Sequence, residues 1–457
     1  MLQGTLGLVD GTAADVHPLL YYTLLWGWML LVGQNVFIVR FLSVIVHLVL
    51  LILLWYLAQE LFGLKTAVLA GVLFALAPFQ VSYGQEARMY GLLSLWLVAA
   101  TLCVWQGMQR RGYLPWVVFG IVAALAMYTH VLAVFFLIPL GLTPLIFRKW
   151  RLFKSVILSA LIALVLYLPW GLQLPAQVAK VERAYWITKP TLVDLVQTVL
   201  AFITGLPIEE NWLPAALFCA LLVIVLASVQ TFRAVRKRDP DSEKVIWVLY
   251  LSAAPVLLLF LVSQFRPLFV VRGLVPSGVL FLLWLAWSFT PRRVWSLESV
   301  ITAASISLAF AIGLISHENY RGFPYAPFES VDEYISSEIG DGGVVVHSNK
   351  ITMLPSYYYD ETLDQAYIAD PPGAGSDTLA LPTQEVLGLI AQPDVESAVG
   401  DAQQVFFVMF GREIDDYEAL GVTTHPHLSW LMEQYDLDEK TTWDDLSLYR
   451  FVNREDG

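Results

Sequence analysis

Long apolar blocks broken by short polar punctuation fill the chain to about residue 316 and then stop. A bilayer core needs roughly 20 apolar residues to be crossed by a helix. Blocks at 38–62, 64–79, 88–108, 113–130, 131–147, 152–170, 212–232, 245–264, 270–289 and 296–316 meet or approach that length, and they predict about ten membrane helices. Two further stretches suit the interface better than a full crossing. HPLLYYTLLWGWMLLVG (17–33) is short and rich in the Trp and Tyr that favour the headgroup zone. In the long loop 171–211, Leu192, Leu195, Val196 and Val199 recur at helical spacing after Pro190, which predicts a second interfacial helix.

Beyond residue 316 the periods shorten and alternate. The pattern predicts a helix over 328–339, a strand over 343–347, a helix near 351–359 and a strand near 366–368. A Pro/Gly loop at 370–376 follows, then a helix near 383–391, a strand at 404–410, helices between 413 and 435, and a last strand near 446–451. Helices alternating with strands point to a small α/β domain. The expected divisions are therefore a first outer loop and interfacial helix (1–37), a membrane domain (38–316) and a C-terminal domain (317–457).

Composition sharpens this division. The chain is 57% hydrophobic and 14% charged, whereas a soluble domain is about a quarter charged. Residues 1–316 hold 21 Lys+Arg against 12 Asp+Glu, a net +9, and residues 317–457 hold 6 against 27, a net −21. A basic membrane part thus precedes a strongly acidic, water-facing part, which argues against nucleic acid as a partner. Cys103 and Cys219 both fall in apolar runs, so no disulfide framework is implied.

Basic residues cluster in alternate loops: Lys65; Arg110 and Arg111; Arg148, Lys149, Arg151 and Lys154; Arg233 to Lys244; Arg292 and Arg293. The positive-inside rule makes those loops cytoplasmic. Residues 1–37, the stretch QVSYGQEARMY (80–90), Tyr128–His130, the loop 171–211, the 265–272 turn and the C-terminal domain then face outward. Every chemically interesting stretch lands on that face. Glu86 and Arg88 lie between two apolar blocks, where charge is costly and tends to be paired or functional. Their spacing of two separates them on a helix and suits two different partners. His17, His130 and Tyr90 add groups that could contact a phosphate or sugar, and Arg272 and Lys189 add outward-side cations. The alternative reading of these residues is a set of solvated loop faces, snorkelling arginines and helix-end contacts.

Five stretches in order carry a family likeness: HPLLYY (17–22), IVRFLS (38–43), APFQVSYGQEARMYG (77–91), YTH (128–130) and AYWITKPTLVDL (184–195). They resemble motifs of the GT-C superfamily of polyprenyl-phosphate-sugar-dependent glycosyltransferases. The likeness is to family 39 proteins, related to protein O-mannosyltransferases and lipid A aminoarabinose transferases, and it runs from about residue 10 to residue 316. It implies transfer of a sugar from a polyprenyl phosphate to a hydroxyl of a lipid, glycan or protein acceptor, on the non-cytoplasmic face of the plasma membrane.

For such a reaction a carboxylate takes the acceptor proton, and cations hold the departing phosphate. Glu86 is the first candidate for the catalytic carboxylate. Arg88, Tyr90, His17, His130, Arg272 and Lys189 are candidates for substrate binding. A divalent cation is compatible with the reaction, though no ligand cluster demands one. The family also carries an acidic pair, commonly Asp-Glu, after a first membrane helix, and its Asp is the expected base. Neither feature is present near residue 1 here, so the sequence reads as N-terminally truncated, with Asp15 as a substitute candidate. A membrane transporter or flippase, and a non-catalytic protein that binds lipid-linked sugar, are the competing readings. The repeated halves of many transporters are not evident.

Overall fold

The computed structural model describes residues 18–109, 112–173, 188–290, 297–320, 322, 323, 325–370, 378, 379, 381–419, 421, 422 and 425–454. Two of the sequence candidates, Asp15 and His17, lie outside the described residues. The described chain divides into two compact units, one ending at Asn319 and the other beginning at Tyr320.

The first unit is helical. Its elements are α1 (Leu19–Val32), α2 (Val36–Phe62), α3 (Leu64–Leu76), α4 (Pro78–Gln85), α5 (Tyr90–Gln109), α6 (Leu114–Thr129), α7 (Ala133–Gly141) and α8 (Thr143–Ile146). They continue with α9 (Phe153–Gly171), α10 (Leu192–Thr204), α11 (Leu213–Lys237), α12 (Ser242–Ser263), α13 (Val275–Phe289) and α14 (Leu297–Asn319). Among the described residues, 7 helices are long and apolar enough to cross a membrane, and the bent pair α3–α4 makes up to 8. The chain is a multi-pass membrane protein. The other two blocks of the sequence reading form shorter apolar helices, α6 and the α7–α8 pair. Each of the ten blocks is thus helical, but two are shorter than a full span and a third, α3–α4, is bent.

Burial sorts the spans. In α13, 78% of the most apolar window is buried, against 17% in α2 and α9. Hence α13 is an interior helix, and α2 and α9 carry the lipid-facing surface. The bend between α3 and α4 is 60°. Its cause is local: Pro78 lacks a backbone N–H and starts a new helix at its first turn. Ala77 is extended (ψ 120°) and ends α3. Two glycines let neighbouring backbones close on this corner. Gly205 has φ +70° and lies against Pro78. A methyl group at Gly313 of α14 would collide with the Thr204 carbonyl and with Pro78. The corner therefore joins α4, α10 and α14.

α10 begins where the sequence pattern placed it. Asp194 accepts hydrogen bonds from the Thr191 N–H (2.7 Å) and hydroxyl (2.8 Å). Leu192, Val193 and Val196 are exposed while Leu200 to Thr204 are buried, so the helix lies with one face against the bundle.

The second unit is a three-layer α/β domain. Among its described residues a sheet of order β2-β1-β3-β5-β4 is formed by β1 (Gly343–His347), β2 (Gln365–Tyr367), β3 (Gln404–Phe410), β4 (Tyr435–Trp443) and β5 (Leu446–Asn453). β2, β1 and β3 are parallel, while β5 and β4 are antiparallel. Period-two alternation splits the core. Val345, Phe406, Val408 and Phe410 pack on α15 (Phe328–Glu338), and Val344, Val346, Phe407 and Met409 form a core on the other face. β4 was not anticipated. Its sequence YDLDEKTTW is polar and shows no apolar alternation, yet backbone pairing with β5 holds it as a charged edge strand.

Candidate functional site

The stretch 80–90 does not form the simple loop that its polarity suggested. Residues 78–85 are helical as α4, and only residues 86–89 connect it to α5. Glu86 is extended at the end of α4 (φ −78°, ψ 133°), and the Arg88 N–H donates to the Glu86 carbonyl at 2.8 Å. The side chains of Glu86 and Arg88 thus leave a tight turn at the ends of two helices, not one helix face. Glu86 is half-buried and Arg88 is exposed.

Several elements deliver charge to this turn. Burial raises the Glu86 carboxyl above the ordinary carboxylate range, and Arg88, then Arg272, His317 and Arg40, act in the opposite sense. Arg272 comes from the turn before α13, His317 from the last turn of α14 and Arg40 from the first turns of α2. Three guanidiniums therefore act on one carboxylate, which makes the cluster net cationic among the described residues. The Arg88 guanidinium is partnered by the Tyr90 hydroxyl and feels Glu86 and Tyr22. Tyr21 on α1 lies within the fields of both Arg88 and Glu86.

Aromatic rings wall the turn. Phe202, Phe79, Tyr83, Tyr90 and His130 form a row with centroid separations of 5.4, 5.0, 5.6 and 5.8 Å. His130 is 8% exposed, and its Nδ1 accepts the Leu132 N–H at 3.1 Å. A neutral ring must then carry its proton on Nε2. Next to α4, His47 packs against Gly84 and Gly91, where a side chain on Gly91 would overlap the ring. Its Nδ1 bonds the Ser43 carbonyl of its own helix at 3.0 Å.

The structure therefore brings Glu86, Arg88, Tyr90, His130 and Arg272 together. Lys189 is exposed ahead of α10 and makes no ion pair among the described residues. The adjacent Pro190 carbonyl is tied to the turn near Arg272 by Gln264 Nε2 at 3.0 Å. Sequence reasoning named neither His317 nor Arg40 as a site residue. Arg40 lies in the IVRFLS motif and His317 closes the last span on the same face, so a search by membrane side would have found both. It also missed Gln80, a buried carboxamide with no hydrogen-bond partner among the described residues. Among the described residues there is no group of three or more His, Cys, Asp or Glu placed to hold a metal ion.

Comparison with known proteins follows the same lines. Residues 16–172 match the family model of dolichyl-phosphate-mannose-protein mannosyltransferases. The undecaprenyl phosphate-alpha-4-amino-4-deoxy-L-arabinose arabinosyl transferase 2 of Proteus mirabilis is 29% identical over 167 residues, which are 34% of this chain and 29% of the relative. The corresponding transferase of an Enterobacter species is 29% identical over 166 residues, again 34% and 29%. The chain thus spans under a third of the length of the curated relatives it matches. Over 97% of its own length it shares the fold of ArnT from Cupriavidus metallidurans, at TM-score 0.61 and 12% identity. The match covers 91% of the apo structure and 92% of the one bound to undecaprenyl phosphate. The GT-C, aminoarabinose-transferase-like resemblance read from the five motifs is borne out by these matches.

Proposed function

We propose that this chain is a membrane glycosyltransferase that moves a sugar from a polyprenyl phosphate to an acceptor hydroxyl on the non-cytoplasmic face. The observation that carries the reading is the convergence of Arg88, Arg272, Arg40 and His317 on Glu86 at one end of an apolar helical bundle. Clustered cations suit a phosphate that gains charge as it departs, and guanidiniums can bind it in bidentate fashion. The segment that holds Glu86, Arg88, Tyr90 and His130 also lies within residues 16–172, the stretch matched by the transferase family model.

In this mechanism the Glu86 carboxylate accepts the proton of the acceptor hydroxyl as its oxygen attacks the anomeric carbon. The bond from that carbon to the phosphate oxygen breaks, and Arg88 and Arg272 take up the charge of the polyprenyl phosphate released. Tyr90 holds Arg88 in place, and His130 and Tyr83 offer a ring and N–H surface to the sugar. Basic inner loops and an outward C-terminal domain complete the topology, in the plasma membrane.

The test is transfer of radiolabelled sugar from polyprenyl-phosphate donors of several sugar types, in membranes carrying the protein, into lipid, glycan and protein fractions. Transfer that disappears in Arg88→Ala supports the reading. Donor binding without transfer, or donor translocation without transfer, would replace it with a binding or transport role.

A further inference from the structure

A cavity of about 910 Å³ whose lining does not include Glu86 lies between α3, α11, the end of α13 and α14. Its interior is apolar, with Val68, Val72 and Leu76 from α3 facing Ile306, Phe310 and Leu314 from α14. The three α3 residues follow each other at intervals of four and are exposed, so they form one unpartnered stripe. α14 gives the cavity its direction. Glu298 stands at its mouth, and the helix runs from there to His317, which acts on Glu86. From Glu298 to Leu314 the lining covers about 24 Å of helix at 1.5 Å per residue.

The mouth carries Lys65, Arg233, Lys237, Asp239 and Glu298. Three of these are spoken for. Glu298 pairs with Arg233 at 3.2 Å and accepts from Gln230 Nε2 at 2.6 Å, which staples α11 to α14. Asp239 caps its own turn by accepting the Asp241 N–H at 3.0 Å. Lys65 and Lys237 are exposed and have no ion-pair or hydrogen-bond partner among the described residues. Two unpaired ammonium groups above an apolar slot match one ligand chemistry, an anionic headgroup on a fatty chain.

We propose that this cavity binds an acyl chain of an anionic glycerophospholipid, with the headgroup phosphate held between Lys65 and Lys237. The headgroup end of the site lies at Lys65, Lys237 and Glu298, at the end of α14 remote from His317, and the proposal stands independently of the sugar-transfer reading. The bound chain would cover the α3 stripe and brace the α3–α4 corner from below.

The experiment uses the full protein in phosphatidylcholine nanodiscs with three photoactivatable probes. Phosphatidylglycerol, phosphatidylcholine and a polyprenyl phosphate each carry a diazirine on the hydrocarbon chain, and labelled peptides are mapped by mass spectrometry. The phosphatidylglycerol probe is expected to label peptides holding Val72 and Phe310 in preference to the phosphatidylcholine probe. Lys65→Gln and Lys237→Gln should each lower that preference about fivefold, since a basic residue near an anionic lipid surface contributes about fivefold in dissociation constant. Ala303→Trp, which fills the slot, should remove labelling by every probe, and melting curves check that each variant is folded. Equal labelling by the two phospholipids, or lysine variants without effect, would overturn the proposal. Preferential labelling by the polyprenyl phosphate would overturn it too and give the cavity to an isoprenoid chain.

Discussion

Glu86 is a carboxylate whose burial and cationic neighbours pull in opposite directions. Burial is the larger influence and raises its affinity for protons, which makes it a better base than an exposed carboxylate. A base must be deprotonated to act. Sugar transfer should therefore fall as pH drops through the raised value, with an acid limb above the usual carboxylate range in kcat/KM profiles. Glu86→Gln should lower kcat about 10²- to 10⁴-fold, the ordinary range for removing a general base, while donor binding measured separately persists. Arg88→Lys keeps the charge but loses the planar fork that can reach both Tyr90 and a phosphate. It should weaken donor binding, by about tenfold or more in KM, whereas Tyr90→Phe should have a smaller effect because the ring row through Tyr83 and His130 remains.

At the scale of elements, the corner after Ala77 decides where the charged turn ends up. Had α3 continued straight, residues 78–85 would have extended the same span. Pro78 breaks it, and the short α4 leads to Glu86 beside α5, α13 and α14. The joint depends on close backbone approach, so Gly313→Ala should cost about 3 kcal/mol or more, since the added methyl meets a backbone carbonyl that cannot swing aside. Gly27→Ala in α1 is the control, because no atom lies within 4 Å of the added methyl and the helix gains up to about 1 kcal/mol in propensity. Thermal melting of the detergent-solubilised protein distinguishes the two. Sequence periodicity revealed α10 and α15, because each has an apolar stripe of helical period with a polar face. It missed β4, whose stability comes from a partner strand that follows it in the chain.

At the scale of the molecule, the acidic unit has its own pH dependence, and two kinds of group oppose each other. Burial pushes Asp332 up to about 6, although the Ser356 hydroxyl donates to it at 2.7 Å. The folded state then binds a proton more tightly than the unfolded one, so this contribution is present at low pH and is lost as pH rises through about 6. Asp332→Asn should raise the melting temperature at pH 8, with the gain shrinking as pH falls below about 6 and vanishing below about pH 4. Burial lowers His347 and His427 to about 4 in each case. Their unfolded forms take a proton near pH 6.5 while the folded forms do not, so stability is lost as pH falls from there towards 4. For the fully buried His347 the loss is on the order of 3 kcal/mol. With two histidines against one aspartate, acid should destabilise the unit overall between about pH 6 and 4, and His347→Gln should flatten that slope in denaturation followed by circular dichroism.

Much of this protein was legible from the chain alone. Apolar block length determined a multi-pass helical unit, because a bilayer core admits only segments that satisfy their own backbone. Period-two and period-3.6 patterns determined an α/β unit after it, since one face of each element must be buried. The motif holding Glu86, Arg88 and Tyr90 drew notice because charge between two apolar blocks is costly. Only the tertiary structure decided what surrounds Glu86. Arg40, Arg272 and His317 come from α2, the turn before α13 and the end of α14, separated from Glu86 by tens to hundreds of residues. No local pattern encodes such a meeting. Side-chain periodicity reports which face of a helix is buried, whereas the choice of neighbour is fixed by a bend at Pro78 and by glycines that let three backbones approach.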